Sequence, residues 1–510
     1  MTSRRAPRAP PLRPLPPSGT LMSGKHQAEA TATVKFPHRS RRGILLGLTA
    51  PQLIVASLTG LLLLAVVITR GVVGALQLIP LWAAIALLVF VRHRGRALAD
   101  WVPIVTRYVL RRMRGQLVWL TRPSRRPSRD GLLHLPGTAA SLRVVTAPDR
   151  RYGAVHNPHT GTLTAVVKVA SRAYALLDPG TQNANVGGWG RALAALARTG
   201  QIARIQVIER TVPDSGDALR RYWEEHGRPH APVAGAIYSE LVQSAGPAAA
   251  PHEAYVAVSL DIKAARRLIN QAGGGLTGAF SVLGQLTSTF DQAARTAGLT
   301  PTGWLTAREI AAVVRTAYDP KSLAPLDRWS AAGRPEAEPA AAGPVVVVEK
   351  SDHITTDTAV HKTYWVENWP RTETSAGFLH QLLFTGGVRR TLSLSYEPKG
   401  LDAALRDVQR KKASVIADAA ERARRGQVDS EADSIEYQDI KSRERQLIAG
   451  HADVALTGLL TVSADSEDEL RSACAVVETA AVGAQLDLRP LTWQQAEAFT
   501  AAAMPLALAA

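Results

Sequence analysis

Two uncharged stretches lie almost back to back near the start of the chain. They are "PQLIVASLTGLLLLAVVIT" (51–69) and "VVGALQLIPLWAAIALLVFV" (72–91), parted by Arg70 and Gly71. A bilayer core takes about 20 apolar residues per helix, so runs of nineteen and twenty are each just sufficient. Two residues between them leave room only for a tight turn. The pattern predicts a two-helix transmembrane hairpin over 43–92. Arg39, Arg41 and Arg42 precede it, and Arg92, Arg94 and Arg96 follow it. Basic flanks stay on the cytoplasmic side. The expectation is therefore a multi-pass protein of the cell membrane with the bulk of the chain cytoplasmic. A buried hairpin of a soluble protein fits the even bracketing by charge less well. A cleaved signal peptide would have a shorter leader and no second span.

The chain of 510 residues has a formal net charge of +17, which first suggests nucleic acid or a membrane surface as partner. The distribution decides between them. Residues 1–42 hold nine Lys/Arg and one acid, and residues 92–129 hold eleven Arg and one acid. Residues 130–510 hold 39 bases and 41 acids. A near-neutral body is the wrong shape for a nucleic-acid groove, so the lipid bilayer is the expected partner and direct nucleic-acid contact is not expected. The one cysteine, Cys474, excludes an internal disulfide framework. With Leu470 and Val477 at helical spacing, it reads as a core residue.

Residues 1–42, rich in Pro, Arg and Ala, read as a disordered basic arm. Residues 93–130 read as a basic juxtamembrane helix and linker. Within "WVPIVTRYVLRRMRGQLVWL" (101–120), Trp101, Ile104, Val105 and Tyr108 share a helical face, and Arg107, Arg111 and Arg114 form the neighbouring stripe. That pattern fits a helix in the headgroup layer or one packed on the body.

Further along, β-rich runs at 161–171, 201–212 and 253–262 alternate with helical patterns and predict a first α/β module over 150–329. "SAAGRPEAEPAAAGP" (330–344) reads as a linker. The order then repeats over 345–510, with strands at 361–370, 388–398 and 454–464. A charged helical stretch, 401–449, is expected to project as a helical hairpin. The expected fold class is a membrane α-hairpin plus cytoplasmic α/β (α+β), with two ferredoxin-like modules.

Several chemistries lack their residues. No G-x-x-x-x-G-K-[ST] occurs; the only Gly-Lys pair is Gly24-Lys25, inside the arm. "GTQNANVGGWG" (180–190) and "GGGLTGAF" (273–280) have glycines without a lysine and read as turns and helix starts. His226 and His230 surround a Gly-Arg-Pro turn, His353 and His361 flank a Thr-rich loop, and none has zinc spacing. Glu224-Glu225 reads as a solvated pair. No G-x-S-x-G is present. The expectation is a protein that is not an enzyme, with no catalytic residue, cofactor or metal.

Two stretches carry resemblances. "SRRGILLGLTAPQLIV" (40–55), leading into a short hairpin, resembles the small PrgI-like membrane component of conjugation systems. Residues 456–506, with Val462, Ser463, Glu469, Leu470, Gln495, Ala498, Phe499 and Pro505 at matching positions, resemble the end of the N-terminal region of VirB/TraC-type conjugation ATPases. That stretch closes on "WQQAEAFTAAAMPLALAA", which reads like the lead-in to a motor domain, yet the family's Walker loop has no counterpart in these residues. Over its whole length the chain resembles a group of actinobacterial two-span membrane proteins of type IV-like loci. These resemblances imply a non-catalytic, membrane-anchored structural subunit of a type IV-like conjugative transfer or secretion machine. It would dock a separate conjugation-type ATPase and other membrane subunits, with Gln495, Phe499 and Pro505 as candidate docking residues. Two alternatives stand beside it: a type VII secretion component of the EccE kind, also two-span with a cytoplasmic domain, and a membrane-tethered nucleic-acid-binding protein.

Overall fold

The alternating runs of the body form one mixed α+β structure in which the sheet pairing among the described residues is antiparallel. In the computed structural model the described residues are 33–34, 36, 50–93, 96–121, 131–149, 151–171, 174–212, 217–227, 233–245, 252–333, 338–370, 372–424, 431–448 and 452–509. Among them, thirteen strands join a single sheet. These are β1 (Val118–Leu120), β2 (Arg143–Thr146), β3 (Gly153–Asn157), β4 (Thr162–Ser171), β5 (Ile202–Thr211), β6 (His252–Asp261) and β7 (Leu299–Trp304), then β8 (Val346–Glu349), β9 (Ile354–Thr355), β10 (Val360–Asn368), β11 (Arg389–Lys399), β12 (Asp453–Ala464) and β13 (Asp487–Pro490). The order is β1-β8-β9-β10-β12-β11-β5-β6-β4-β3-β2, with β7 added on β4 and β13 on β10.

The described residues include fifteen α-helices. At the N-terminal end are α1 (Ala50–Gln77), α2 (Ile79–Phe90) and α3 (Leu98–Met113). The first half carries α4 (Pro179–Arg198) between β4 and β5, then α5 (Asp217–His226) and α6 (Ala234–Ala245) before β6. It continues with α7 (Arg266–Gln271) and α8 (Gly275–Thr296) before β7, and α9 (Ala307–Tyr318) and α10 (Leu323–Ala331) after it. The second half carries α11 (His380–Leu383), the pair α12 (Leu401–Arg424) and α13 (Glu431–Ile448), α14 (Glu467–Gly483) and α15 (Gln495–Ala503).

The halves share a strand plan. In the first, β5, β6, β4 and β7 are neighbours in that order; in the second, β11, β12, β10 and β13 are. Each half presents its second strand at an edge, and the two edges pair. β5 runs antiparallel to β11, from Thr391↔Arg210 to Tyr396↔Ile205. Joining them removes two exposed rows of backbone donors and acceptors. The expected pair of separate modules is therefore one continuous sheet.

The apolar residues follow this plan. Phe280, Leu283, Leu286, Phe290 and Ala294 recur every three or four residues on α8 and pack with β4 and β6. Leu470, Cys474, Val477 and Ala481 of α14 cover β10 and β12. The opposite face is covered by α9 and α15, whose core joins Val166 and Tyr255 of the first half to Val347 and Ile354 of the second. Thr306 and Glu309 start α9 with a reciprocal capping box.

Three expected boundaries shift. Leu133, Leu135 and Leu142, which precede the expected first module, are fully buried in the shared core. In the expected linker, Ala342 is fully buried, and a Cβ on Gly343 would lie 2.3 Å from the His134 carbonyl oxygen. Residues 338–344 are therefore packed structure. In the arm expected to be disordered, Thr33 and Val34 pair with Ser375 and Thr374, and Phe36 stacks on Trp369 at 4.9 Å. The stretch 180–190, read as turns and helix starts, forms the first part of α4, with its glycines at 187, 188 and 190 inside the helix.

Candidate functional site: the junction of anchor and body

Among the described residues one helix, Gln52–Gln77, is long and apolar enough to cross a membrane, and 6% of its apolar window is buried. Ile79–Phe90 is apolar but shorter, at 12 residues. The apolar segment is not one straight rod. Gly71 has φ 68° and ψ −175°, so α1 breaks at the Arg70-Gly71 step where the uncharged run is interrupted. That left-handed φ suits glycine, which has no Cβ. The Gln52 side chain then donates to the Val89 carbonyl at 2.6 Å, bringing the start of α1 beside the end of α2. Trp82 Nε1 donates to the Ala75 carbonyl at 3.0 Å and closes the step between the helices.

From α2 the chain passes through a two-residue ladder, Arg92↔Ala97 and His93↔Arg96, directly into α3. Arg92 and Arg96 thus sit on the hinge of the junction. Arg39, Arg41, Arg42 and Arg94 lie outside the described residues.

α3 is fixed to the body at three places. Trp101 is buried and meets Trp493 edge to face at 5.4 Å. Arg107 pairs with Glu497 at 2.5 Å. Arg111 pairs with Glu349 at 2.7 Å, and the Glu349 side chain is 1% exposed. Burial raises the pKa of that carboxyl, and Arg111 draws it part of the way back. Glu349 also accepts from the Ala496 backbone N–H at 3.2 Å. One buried acid therefore ties together α3, β8 and the first turn of α15. An open cleft of about 400 Å³ lies beside it, lined by Tyr108, Arg112, Leu117, Val348, Glu349 and Lys350. Nothing near α3 in the sequence signals Trp493, Glu497 or Glu349 as its partners, because hundreds of residues separate them.

The candidate docking residues prove internal. Gln495 has no exposed surface; its Oε1 accepts from Thr363 N–H at 2.8 Å, and its Nε2 donates to the carbonyls of Thr363 and Leu491. Phe499 packs between Tyr318 and His361, at ring distances of 5.1 and 4.5 Å. Pro505 is buried. All three of these expected docking residues are thus packed against the chain's own residues. The other positions of the 456–506 resemblance have similar work. Val462 and Leu470 are core residues, Ser463 Oγ bonds His361 Nδ1 at 2.8 Å, and the Glu469 N–H donates to the capping Ser466 Oγ.

Gln206 of β5 holds the segment after α15 across the seam of the two halves. Its Nε2 donates to Ser393 Oγ and the Ala501 carbonyl, both at 2.8 Å, and its Oε1 accepts from Ala507 N–H at 2.7 Å. Farther along β5, Arg210 meets Glu253 at 2.7 Å and donates to Thr316 Oγ1 at 3.1 Å. Burial pushes the Glu253 carboxyl up, but Arg210 and Lys168 outweigh it and hold it down to about 2. His361 bonds Thr356 Oγ1 at 2.9 Å through Nε2, and burial drives its pKa down to about 3. Both groups are partnered by structural residues. Cys474 is buried and its thiol is pushed up by that burial. Glu224 and Glu225 are exposed, as is His226, while His230 lies outside the described residues. Among the described residues no group of three or more His, Cys, Asp or Glu is placed to hold a metal ion.

Residues 248–366 match the sequence model of a family described as "Putative type VII ESX secretion system translocon, EccE". The match covers about a quarter of the chain. It runs from just before β6 to near the end of β10, through the α8–β7–α9 core and across the packed segment 338–344. Over this segment the chain is similar to a membrane component of a secretion system. No curated protein matches the sequence.

Proposed function

We propose that this chain is a non-catalytic, membrane-anchored structural subunit of a type VII-like secretion complex, of the EccE kind. The similarity over 248–366 carries the reading. The exposed apolar helix with a reversal at Gly71 supports it, as does the contact of Gln52 with Val89, which fits a two-span hairpin entering and leaving on one side. The strand orders β5-β6-β4-β7 and β11-β12-β10-β13 support two ferredoxin-like halves fused edge to edge. The body would lie on the cytoplasmic side with its partners in the same membrane complex. The type IV-like reading, which the sequence put first, rested on the resemblances of residues 40–55 and 456–506; the similarity over 248–366 favours the type VII-like reading instead.

The test is composition. The tagged full chain, extracted from its native membranes in mild detergent, is expected to bring down the other membrane subunits of a type VII system, identified by mass spectrometry. A conjugation-type ATPase in their place would overturn the reading.

A further inference from the structure

α3 has two apolar faces, and the body covers only one. Trp101, Ile104, Tyr108 and Arg111 lie toward the body, where Trp493 and Glu349 receive Trp101 and Arg111. On the other side Val102, Val109, Leu110 and Met113 recur at positions that fall together on a 3.6-residue helix. They are 45%, 44%, 46% and 79% exposed. Arg112 flanks this stripe on one side and Arg114 on the other, and both are exposed. Helical periodicity in the sequence singles out the Trp101 face as the apolar one. Only the structure shows that this face is already used and that a second remains open.

The position of the helix says what covers it. α3 follows the apolar segment after a seven-residue connection and packs against both α1 and α2. Its open stripe is therefore held at the edge of whatever surrounds those helices. An apolar stripe bordered by arginines is the pattern of a helix lying in the interface plane, its apolar side in the acyl boundary and its cations among anionic headgroups. A 16-residue helix is about 24 Å long, enough to lay one side of the body along the surface.

We propose that α3 is a two-sided clamp, with one face gripping β8 and α15 and the other immersed in the headgroup layer of an anionic bilayer. The body is thereby pressed to the membrane and not hung from a tether. This rests on the membrane reading above, and the test separates the two.

The full chain carrying Cys474→Ala is reconstituted in vesicles of equal parts phosphatidylcholine and phosphatidylglycerol. A polarity-sensitive fluorophore is placed on single cysteines at Val109→Cys or Met113→Cys. Leu61→Cys on α1 and Val482→Cys on α14 serve as references. All four sites are exposed, so the labels test surroundings and not folding. Lipid-borne quenchers are expected to reach the labels at 61, 109 and 113, and aqueous iodide the label at 482. Iodide quenching at 109 and 113 while 61 stays lipid-quenched would overturn the clamp and leave the anchor standing. Shielding of 109 and 113 from both quenchers would also overturn it, since a second copy or another protein would then occupy the stripe. Iodide access at 61 would remove the membrane reading and the clamp together. Joint Arg112→Glu and Arg114→Glu substitution is expected to lower lipid quenching at 113 several-fold without changing it at 61; an unchanged value would contradict the role of anionic lipid.

Discussion

His361 sits in the middle of the sheet with no exposed surface, bonded to Thr356 and Ser463 and tilted at 42° against Phe499. Its folded pKa is about 3 against an ordinary 6.5. Between those values the unfolded chain binds a proton that the folded chain refuses. Stability is therefore intact above about pH 6.5 and falls as the pH drops through that window, by at most about 1.4 kcal/mol per pH unit. His361→Gln is expected to flatten the fall of the unfolding midpoint between neutral and mildly acidic pH. An unchanged slope would mean that the ring is protonated in the folded state. The spacing of His353 and His361 disfavours a metal but says nothing of where the rings go. Burial of His361 arises because β10 and β12 pair across a separation of about a hundred residues. For the same reason Gln495 and Phe499 could be read from sequence as either a docking surface or a core. A short helix rich in alanine carries no sign of which sheet face it will cover.

The elements divide by length. β4, β5, β6, β10, β11 and β12 each have nine or more residues, and their alternation or apolar runs mark them plainly in the sequence. β1, β2, β8, β9 and β13 have two to four residues and no period to read. They are held by neighbours, as β8 is by β1 through Val346↔Leu120. At the α3–β8 contact, Arg111→Ala strands a buried carboxylate and is expected to cost about 3–5 kcal/mol, seen as a lower unfolding midpoint. Adding Glu349→Gln should recover part of that loss, because the stranded charge is then gone. If the double variant is as unstable as the sum of the singles, the pair is not coupled. α4 and α8 make a second close contact. A Cβ on Gly188 would lie 2.7 Å from both Ala297 Cα and the Thr296 carbonyl oxygen. Gly188→Ala forces backbone apart and should destabilise by about 1–3 kcal/mol, whereas Gly190→Ala, which meets nothing within 4 Å, should be neutral or stabilising through helix propensity.

At the scale of the molecule, a fused sheet, a shared face under α9 and α15, and a helix gripped by that face join the apolar segment to the body as one object. Composition already separated the basic N-terminal quarter from the near-neutral remainder. The edge-to-edge seam between β5 and β11 was invisible there, because pairing of two edges depends on register and not on local pattern. If α1 and α2 form a hairpin through the cell membrane, only the turn at Arg70 crosses to the far side. In intact cells, with Cys474→Ala as background, Arg70→Cys should react with a membrane-impermeant maleimide from outside. Val482→Cys, 74% exposed on the body, should react only after the cells are opened. Reaction at Val482→Cys in intact cells, or protection of Arg70→Cys there but not after opening, would contradict a hairpin anchor carrying a cytoplasmic body.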